Sequence, residues 1–210
     1  NTTVPNMSSQ DLDLYILSDE ISSNPFPFTI STIDGGVPFI INIEPDGSAN
    51  SLEYITISGG NFGSQMGSVI LINSNGDEFY SDIDLFPSQC SANIWKDDQI
   101  IAIFPDTGEK IKVIRSDSEE SNEFPYQIQA GSANPSIACI VPDNGPENSL
   151  VDIYGISFSG DSNVIFTDSK NADLSESIIN LQQILNVPVP SGATTGEVYY
   201  SNGTDSNSLL

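Results

Sequence analysis

One strand-turn-strand pattern occurs three times in this chain, and that internal repetition constrains the fold more than any other feature. Leu14-Tyr15-Ile16-Leu17-Ser18-Asp19 leads to Ser23-Asn24-Pro25-Phe26-Pro27-Phe28, and Lys112-Val113-Ile114-Arg115-Ser116-Asp117 leads to Ser121-Asn122-Glu123-Phe124-Pro125-Tyr126. Val198-Tyr199-Tyr200-Ser201-Asn202 leads in the same way to Ser206-Asn207-Ser208-Leu209-Leu210. In each copy apolar residues alternate along a strand, a polar turn follows, and Ser-Asn opens the next strand, as in a β-hairpin. The asparagine recurs at Asn24, Asn122 and Asn207, spacings of 98 and 85 residues, each about one small β-domain.

Other markers keep step with the hairpin. A proline-terminated strand lies upstream of each copy, at Val4-Pro5, Phe104-Pro105 and Val187-Pro188-Val189-Pro190, where a missing backbone donor is tolerated. A front half, Ile43-Glu44-Pro45-Asp46-Gly47 followed by Ile55-Thr56-Ile57-Ser58-Gly59-Gly60-Asn61-Phe62-Gly63, is echoed by Ile140-Val141-Pro142-Asp143-Asn144-Gly145 and Val151-Asp152-Ile153-Tyr154-Gly155. No such front half precedes Gly35. Short runs rich in Ile, Val, Phe, Tyr and Thr, divided by Gly, Pro, Asn, Ser and Asp, predict an all-β fold, and 210 residues leave room for about two domains. Residues 1–33 are expected to be the closing strands of a preceding repeat, 34–130 one repeat, and 131–210 a divergent repeat with an incomplete closing strand, the last two joined by Ala130-Gly131-Ser132-Ala133-Asn134. The 13 extra residues of the longer spacing are assigned to an insertion near 73–93. Asn75-Gly76-Asp77 there predicts an added hairpin, the alternative being a surface loop. Because both ends fall inside a repeat, the chain is read as a segment of a longer array.

At these residues the chain resembles the IPT/TIG family of immunoglobulin-like domains, found in cell-surface receptors, secreted proteins and some transcription factors. The resemblance rests on the proline-containing first strand, the Gly60-Asn61-Phe62-Gly63 turn, Trp95 before the acidic turn Asp97-Asp98, and the Ser-Asn hairpin, all within residues 38 to 128. It implies tandem antiparallel β-sandwiches of the immunoglobulin-like E-set type, with Gly60, Phe62, Gly63 and Trp95 as architectural residues. Trp95 is expected in the core between the sheets; its other role would be a stacking platform for a sugar. Residues 135 to 210 depart from the pattern: the turn at Tyr154–Gly160 reads as looser, and Ile179-Asn180-Leu181-Gln182-Gln183-Ile184 stands in place of the tryptophan segment.

Chemistry is sparse. The chain has no histidine, which closes off Ser-His-Asp and Cys-His nucleophile activation and histidine-containing metal sites. No catalytic residue and no cofactor-binding residue is assigned, and the chain is not expected to be an enzyme. Calcium is the one metal whose preference for hard oxygen ligands suits turn aspartates, although no EF-hand spacing is present. Cys90 falls in the insertion and Cys139 in the first strand of the following repeat, leaving open a disulfide between domains, one between chains, or two free thiols. Asn1, Asn6 and Asn202 head Asn-x-Ser/Thr sequons and are candidate N-glycosylation sites.

Five Lys and Arg against 29 Asp and Glu give a net charge of −24, which repels a phosphate backbone and disfavours nucleic acid and anionic membrane surfaces. No apolar stretch reaches the roughly 18 to 20 residues needed to span a bilayer. The expectation is a non-enzymatic structural or adhesive repeat array of an extracellular surface or filament glycoprotein, with copies of itself, companion chains or glycan as partners. Two alternatives are a ligand-binding receptor ectodomain and an accessory module of a carbohydrate-active enzyme.

Overall fold

A computed structural model describes residues 10–14, 17–18, 21–22, 26–30, 36–90, 93–160 and 162–210. The chain divides into two compact units, residues 1–36 and 37–210. In the first, β1 (Gln10–Leu14), β2 (Leu17–Ser18), β3 (Ile21–Ser22) and β4 (Phe26–Ile30) are nested, β1 pairing antiparallel with β4 and β2 with β3. Asn24, Asn1 and Asn6 lie outside the described residues.

The second unit is all-β; among the described residues every helical turn is of the short 3₁₀ kind. Its first half carries β5 (Phe39–Glu44), β6 (Ser48–Asn50), β7 (Tyr54–Gly60), β8 (Ser68–Ile72), β9 (Glu78–Tyr80), β10 (Gln99–Ile103), β11 (Gly108–Ile114) and β12 (Phe124–Gln129). These build the sheets β10-β7-β5 and β6-β12-β11-β8-β9, antiparallel except for the parallel β6 and β12. Ile55, Ile57 and Ile100 from one sheet meet Leu71, Ile111 and Val113 from the other in a single core. The alternation of strand side chains puts these residues on one face. The second half carries β13 (Ser136–Val141), β14 (Leu150–Ile156), β15 (Asn163–Phe166), β16 (Lys170–Asn171), β17 (Ile178–Asn180), β18 (Gln183–Pro188) and β19 (Val198–Ser201), in sheets β13-β14-β18-β17 and β16-β15-β19.

Within residues 73–93, Asn73 Oδ1 accepts from the N–H groups of Asn75 and Asp77, both at 2.9 Å, and Gly76 takes a φ of 85°. That turn folds β9 back on β8. Two 3₁₀ turns, Ile83–Leu85 and Ser88–Cys90, then return the chain towards Trp95.

The Ser-Asn pair does the same work in both halves. Ser121 exchanges two bonds with Val113: its N–H donates to the carbonyl at 2.8 Å and its Oγ accepts from the N–H at 2.9 Å. Asn122 then reaches the opposite sheet, where Oδ1 accepts from Ile40 N–H at 2.8 Å and Nδ2 donates to Ile40 O at 3.2 Å. Ser206 makes the corresponding pair with Tyr200 at 2.9 and 3.0 Å, and Asn207 with Ile137 at 2.7 and 2.9 Å. An asparagine amide offers a donor and an acceptor side by side, as a peptide group does, so it can finish the edge of a strand that has no neighbour there.

The turn after β7 also recurs, in a different frame from Gly60-x-Phe62-Gly63. The repeated element is Gly59-x-x-Phe62, matched by Gly155-x-x-Phe158. A Cβ on Gly59 would lie 1.9 Å from Phe39 O and 2.6 Å from the Phe62 ring, and one on Gly155 would lie 2.1 Å from Ser136 O and 2.6 Å from the Phe158 ring. Both phenylalanines are buried. Asn61 and Ser157, one residue before them, take φ of 59° and 58°. The second turn is therefore not looser than the first. Nor does the tryptophan segment lack a counterpart: Gly59 and Phe62 donate to Asp98 O and Asp97 O, both at 3.0 Å, while Gly155 and Phe158 donate to Gln182 O and Leu181 O at 2.9 and 3.3 Å. Because these acceptors are backbone carbonyls, the side chains that carry them are free to differ.

Asn207→Ala is expected to destabilise the protein by about 2 to 4 kcal/mol in urea unfolding, since it strands the backbone N–H and the backbone carbonyl of the buried Ile137 at about 1 to 3 kcal/mol each. Asn122→Ala should cost less, because Asn122 is exposed and water can replace it. Equal losses at the two positions would contradict this account.

Candidate functional site: the junction between the two halves

Sheet β10-β7-β5 is covered on both faces along β7 and β10. Its inward residues fill the first core, while Tyr54, Ile101 and Ile103 point the other way and join Ile137, Ala138 and Val151 of the second half in a second core. Tyr54 and Thr56 are 2% and 1% exposed although they alternate with the inward Ile55 and Ile57. A strand buried on both faces reads as a continuous apolar run rather than an alternating one. Tyr54-Ile55-Thr56-Ile57 and Ile100-Ile101-Ala102-Ile103 are such runs.

Directional bonds fasten this contact. Cys90, from the 3₁₀ turn at the end of the insertion, is disulfide-bonded to Cys139 of β13, so the bridge joins the two halves. Tyr54 N–H donates to Ser136 Oγ at 2.9 Å, and Thr56 Oγ1 donates to Ser208 O at 2.6 Å while accepting from Asn207 Nδ2 at 2.9 Å. The Ser208 N–H and hydroxyl both donate to Glu44 Oε2, the former at 2.9 Å. The connecting segment is held by Glu53, only 2% exposed, whose Oε1 accepts from Asn134 N–H at 2.6 Å and from Asn50 Nδ2 at 2.8 Å. Asn50 also donates to Ser132 O at 3.2 Å, and a Cβ on Gly131 would lie 2.3 Å from Asn50 Oδ1. Ala130–Asn134 is thus a pinned connection.

Two concavities flank the junction. A cleft of about 310 Å³ lies between Asn93, Lys96 and Gln99 of the first half and Asp143, Val151 and Thr194 of the second. Lys96 Nζ donates to Leu210 O at 2.9 Å and stands 3.9 Å from Asp143 Oδ2. A smaller groove of about 220 Å³ in the first half is lined by Met66, Tyr80, Phe86 and Trp95, with Tyr80 60% exposed. Trp95 is not the fully buried core residue its position suggested. It is half-buried against the first core, and its Nε1–H donates to Gly63 O at 3.0 Å and Phe62 O at 3.3 Å. The indole therefore braces the turn that it packs beside. Gly63 takes a φ of 78° and its N–H donates to Asp97 Oδ1 at 2.8 Å, which commits one carboxylate of the Asp97-Asp98 pair to the turn. Gly60 lies beneath the Phe39 ring, 2.8 Å from where its Cβ would be.

Asn202 is exposed in the turn that follows β19, next to Gly203 with φ 102°. Among the described residues no group of three or more Cys, Asp and Glu side chains is arranged to hold a metal ion. No helix among them is long and apolar enough to cross a membrane. The residues that make the junction, Tyr54, Thr56, Glu53, Asn50 and Ser136, were not singled out from sequence, although the unbroken apolar runs carried the signal for the first two.

No family model and no curated protein matches the chain. Among solved structures it is similar to SGBP-B from a complex xyloglucan utilization locus in Bacteroides uniformis, with 18% identity and a TM-score of 0.30. The match covers 83% of this chain and 48% of that one, so the chain spans about half the length of that structure.

Burial raises the Tyr54 phenol from 10.0 to about 12, and its hydroxyl donates to Leu85 O at 2.9 Å. The unfolded chain loses this proton near pH 10 and the folded chain only near 12, so stability is complete below pH 10 and declines as pH rises through that window. Burial shifts Tyr126 the same way, so Tyr54→Phe should shrink the alkaline loss of thermal stability without abolishing it. An unchanged alkaline profile in Tyr54→Phe would mean that Tyr54 is exposed to solvent.

Proposed function

We propose that this chain is a rigid, non-catalytic structural segment of an extracellular or cell-surface protein. In this reading the two halves of residues 37–210 are immunoglobulin-like sandwiches of the IPT/TIG kind, held in a fixed mutual orientation so that the segment sets the distance and direction between whatever it connects. The observation that carries the reading is the junction, where a shared apolar core, a disulfide and a pinned connection act together. Modules that only follow one another in sequence are by default free to move, and a large apolar interface is what removes that freedom. The disulfide supports the compartment, because such bonds persist in oxidising surroundings and are rare in the cytosol. The net charge of −24 supports a solvated, mutually repelling surface, and the exposed Asn202 sequon is accessible for glycan.

Residual dipolar couplings from residues 39–129 and 136–209 are expected to fit one alignment tensor in the oxidised protein. Two distinct tensors would overturn the reading. The native protein should show no free thiol, and reduction should lower its stability by about 2 to 4 kcal/mol, the usual range for a bridge closing a loop of this size; Cys90 and Cys139 are 49 residues apart.

A second reading, an accessory module that binds glycan in a carbohydrate-active system, is favoured by the groove containing Trp95, Tyr80 and Met66. Aromatic rings supply flat apolar area for sugar faces. Calorimetric titration with soluble plant and microbial polysaccharides decides between the two: binding that disappears in Tyr80→Ala would move the function to the groove, and no heat with any of them would leave the structural reading standing.

A further inference from the structure

We propose that Asn202 is a self-modifying residue, whose side-chain amide is displaced by the backbone nitrogen of Gly203, and that the fold restrains the same reaction at the other Asn-Gly pairs of the chain. The proposal goes beyond the structural reading above and does not depend on it.

Glycine after asparagine favours this reaction, because no Cβ obstructs the approach of the glycine nitrogen to the asparagine Cγ. The sequence holds three such pairs, Asn75-Gly76, Asn144-Gly145 and Asn202-Gly203. All six residues are exposed, so exposure does not separate the pairs. Hydrogen bonding does. At Asn75 the attacking group is engaged, since Gly76 N–H donates to Asn73 O at 3.0 Å. Asn73 Oδ1 also accepts from Asn75 and Asp77 N–H at 2.9 Å, and Asn73 N–H donates to Asp77 O at 3.1 Å. The backbone there cannot turn towards Cγ without opening that turn. At Asn144 the leaving group is engaged: Nδ2 donates to Asp143 Oδ1 at 2.8 Å, and a Cβ on Gly145 would lie 2.4 Å from Ser149 Oγ.

At Asn202 neither group is held. Among the described residues the Gly203 N–H and the Asn202 side chain have no hydrogen-bond partner. A Cβ on Gly203 would meet nothing within 4 Å, and the turn is spanned by one bond at the limit of length, Asn202 N–H to Thr204 O at 3.5 Å. Its ends are fixed, because Ser201 pairs with Asp205, and Ser206 and Asn207 are anchored on Tyr200 and Ile137. Freedom is thus confined to residues 202–204. In the reaction hydroxide takes the proton of Gly203 N–H, the nitrogen bonds to Asn202 Cγ, the Cγ–Nδ2 bond breaks, and ammonia leaves with a proton from water. Water then opens the five-membered imide at either carbonyl, giving aspartate or an isoaspartate that routes the backbone through the side chain. Nothing is oxidised or reduced. The turn gains one negative charge, and the Asn202-Gly203-Thr204 sequon ends, because glycan is attached to the same Nδ2 that is lost.

The test is incubation of the unglycosylated, disulfide-intact chain in heavy-oxygen water, with label at each Asn-Gly pair read by peptide mass spectrometry and isoaspartate identified by fragmentation. Label is expected first at Asn202, at least about tenfold faster than at Asn75, the factor that goes with breaking one or two turn hydrogen bonds. Isoaspartate should accompany aspartate, and the rate should rise with pH. In concentrated urea with the disulfide reduced, the three pairs should converge, since the turns that separate them are gone. Asn73→Ala, a surface change that removes the side-chain acceptor of the protected turn, should speed label at Asn75 and leave Asn202 unchanged. Label at Asn75 as fast as at Asn202, an unchanged spread in urea, aspartate at Asn202 without isoaspartate, or an Asn75 rate indifferent to Asn73→Ala would each overturn the proposal. None of these results bears on the single alignment tensor expected within one chain, so the two readings fail separately.

Discussion

The interaction on which most of the structure depends is the pair of hydrogen bonds from one asparagine side chain to the backbone N–H and carbonyl of one residue of the opposite sheet. Apolar burial drives two sheets together, but it is non-directional and leaves them free to slide. Asn122 on Ile40, and Asn207 on Ile137, supply the missing direction. Asn207 goes further. Its Oδ1 and one Nδ2 proton are taken by Ile137, and the other Nδ2 proton goes to Thr56 Oγ1 across the junction. One fully buried amide thus closes its own half and grips the other, and both of its protons are used in doing so.

Given that anchor, the junction follows from the amphipathic logic of strands taken one step further. A sheet with one apolar face needs one partner; β7 and β10 have two apolar faces and therefore need a partner on each side. Surface ion pairs such as Lys110 with Glu123 at 2.8 Å are exposed and contribute little. The large acidic surplus is accordingly a property of the outer surface, and the forces that fix the orientation of the halves are burial, hydrogen bonds such as Tyr54 to Ser136 and Thr56 to Ser208, and one covalent bridge.

The β class, the two Ser-Asn elements at Asn122 and Asn207 and the turn within the insertion are legible because each depends on local pattern: alternation, Ser-Asn and Asn-Gly. The turn after β7 was legible only in part. The sequence motif runs from Gly60 to Gly63, whereas the structural requirement sits at Gly59 and Gly155, where the neighbouring strand's carbonyl leaves no space for a Cβ. Nothing in a single sequence marks that approach. The counterpart of the Trp95 segment was hidden for a related reason, since Leu181 and Gln182 contribute carbonyls and any residue has one. Tyr54 and Ile101 could be suspected from unbroken apolar runs, but Glu53 could not: a carboxylate beside a turn reads as solvated, and only the fold reveals that the connecting segment passes over it.

The insertion explains why the halves are unequal. Residues 73–93 add β9 to the sheet on the far side of the first core, yet their last turn, Ser88–Cys90, ends against β13 of the second half. The extra length therefore does not enlarge the first half for its own sake; it delivers a sulfur to a strand outside that half. The second half has no comparable extension, and the chain's two cysteines are both consumed in the one bridge. The junction between the two halves therefore cannot open without breaking a covalent bond.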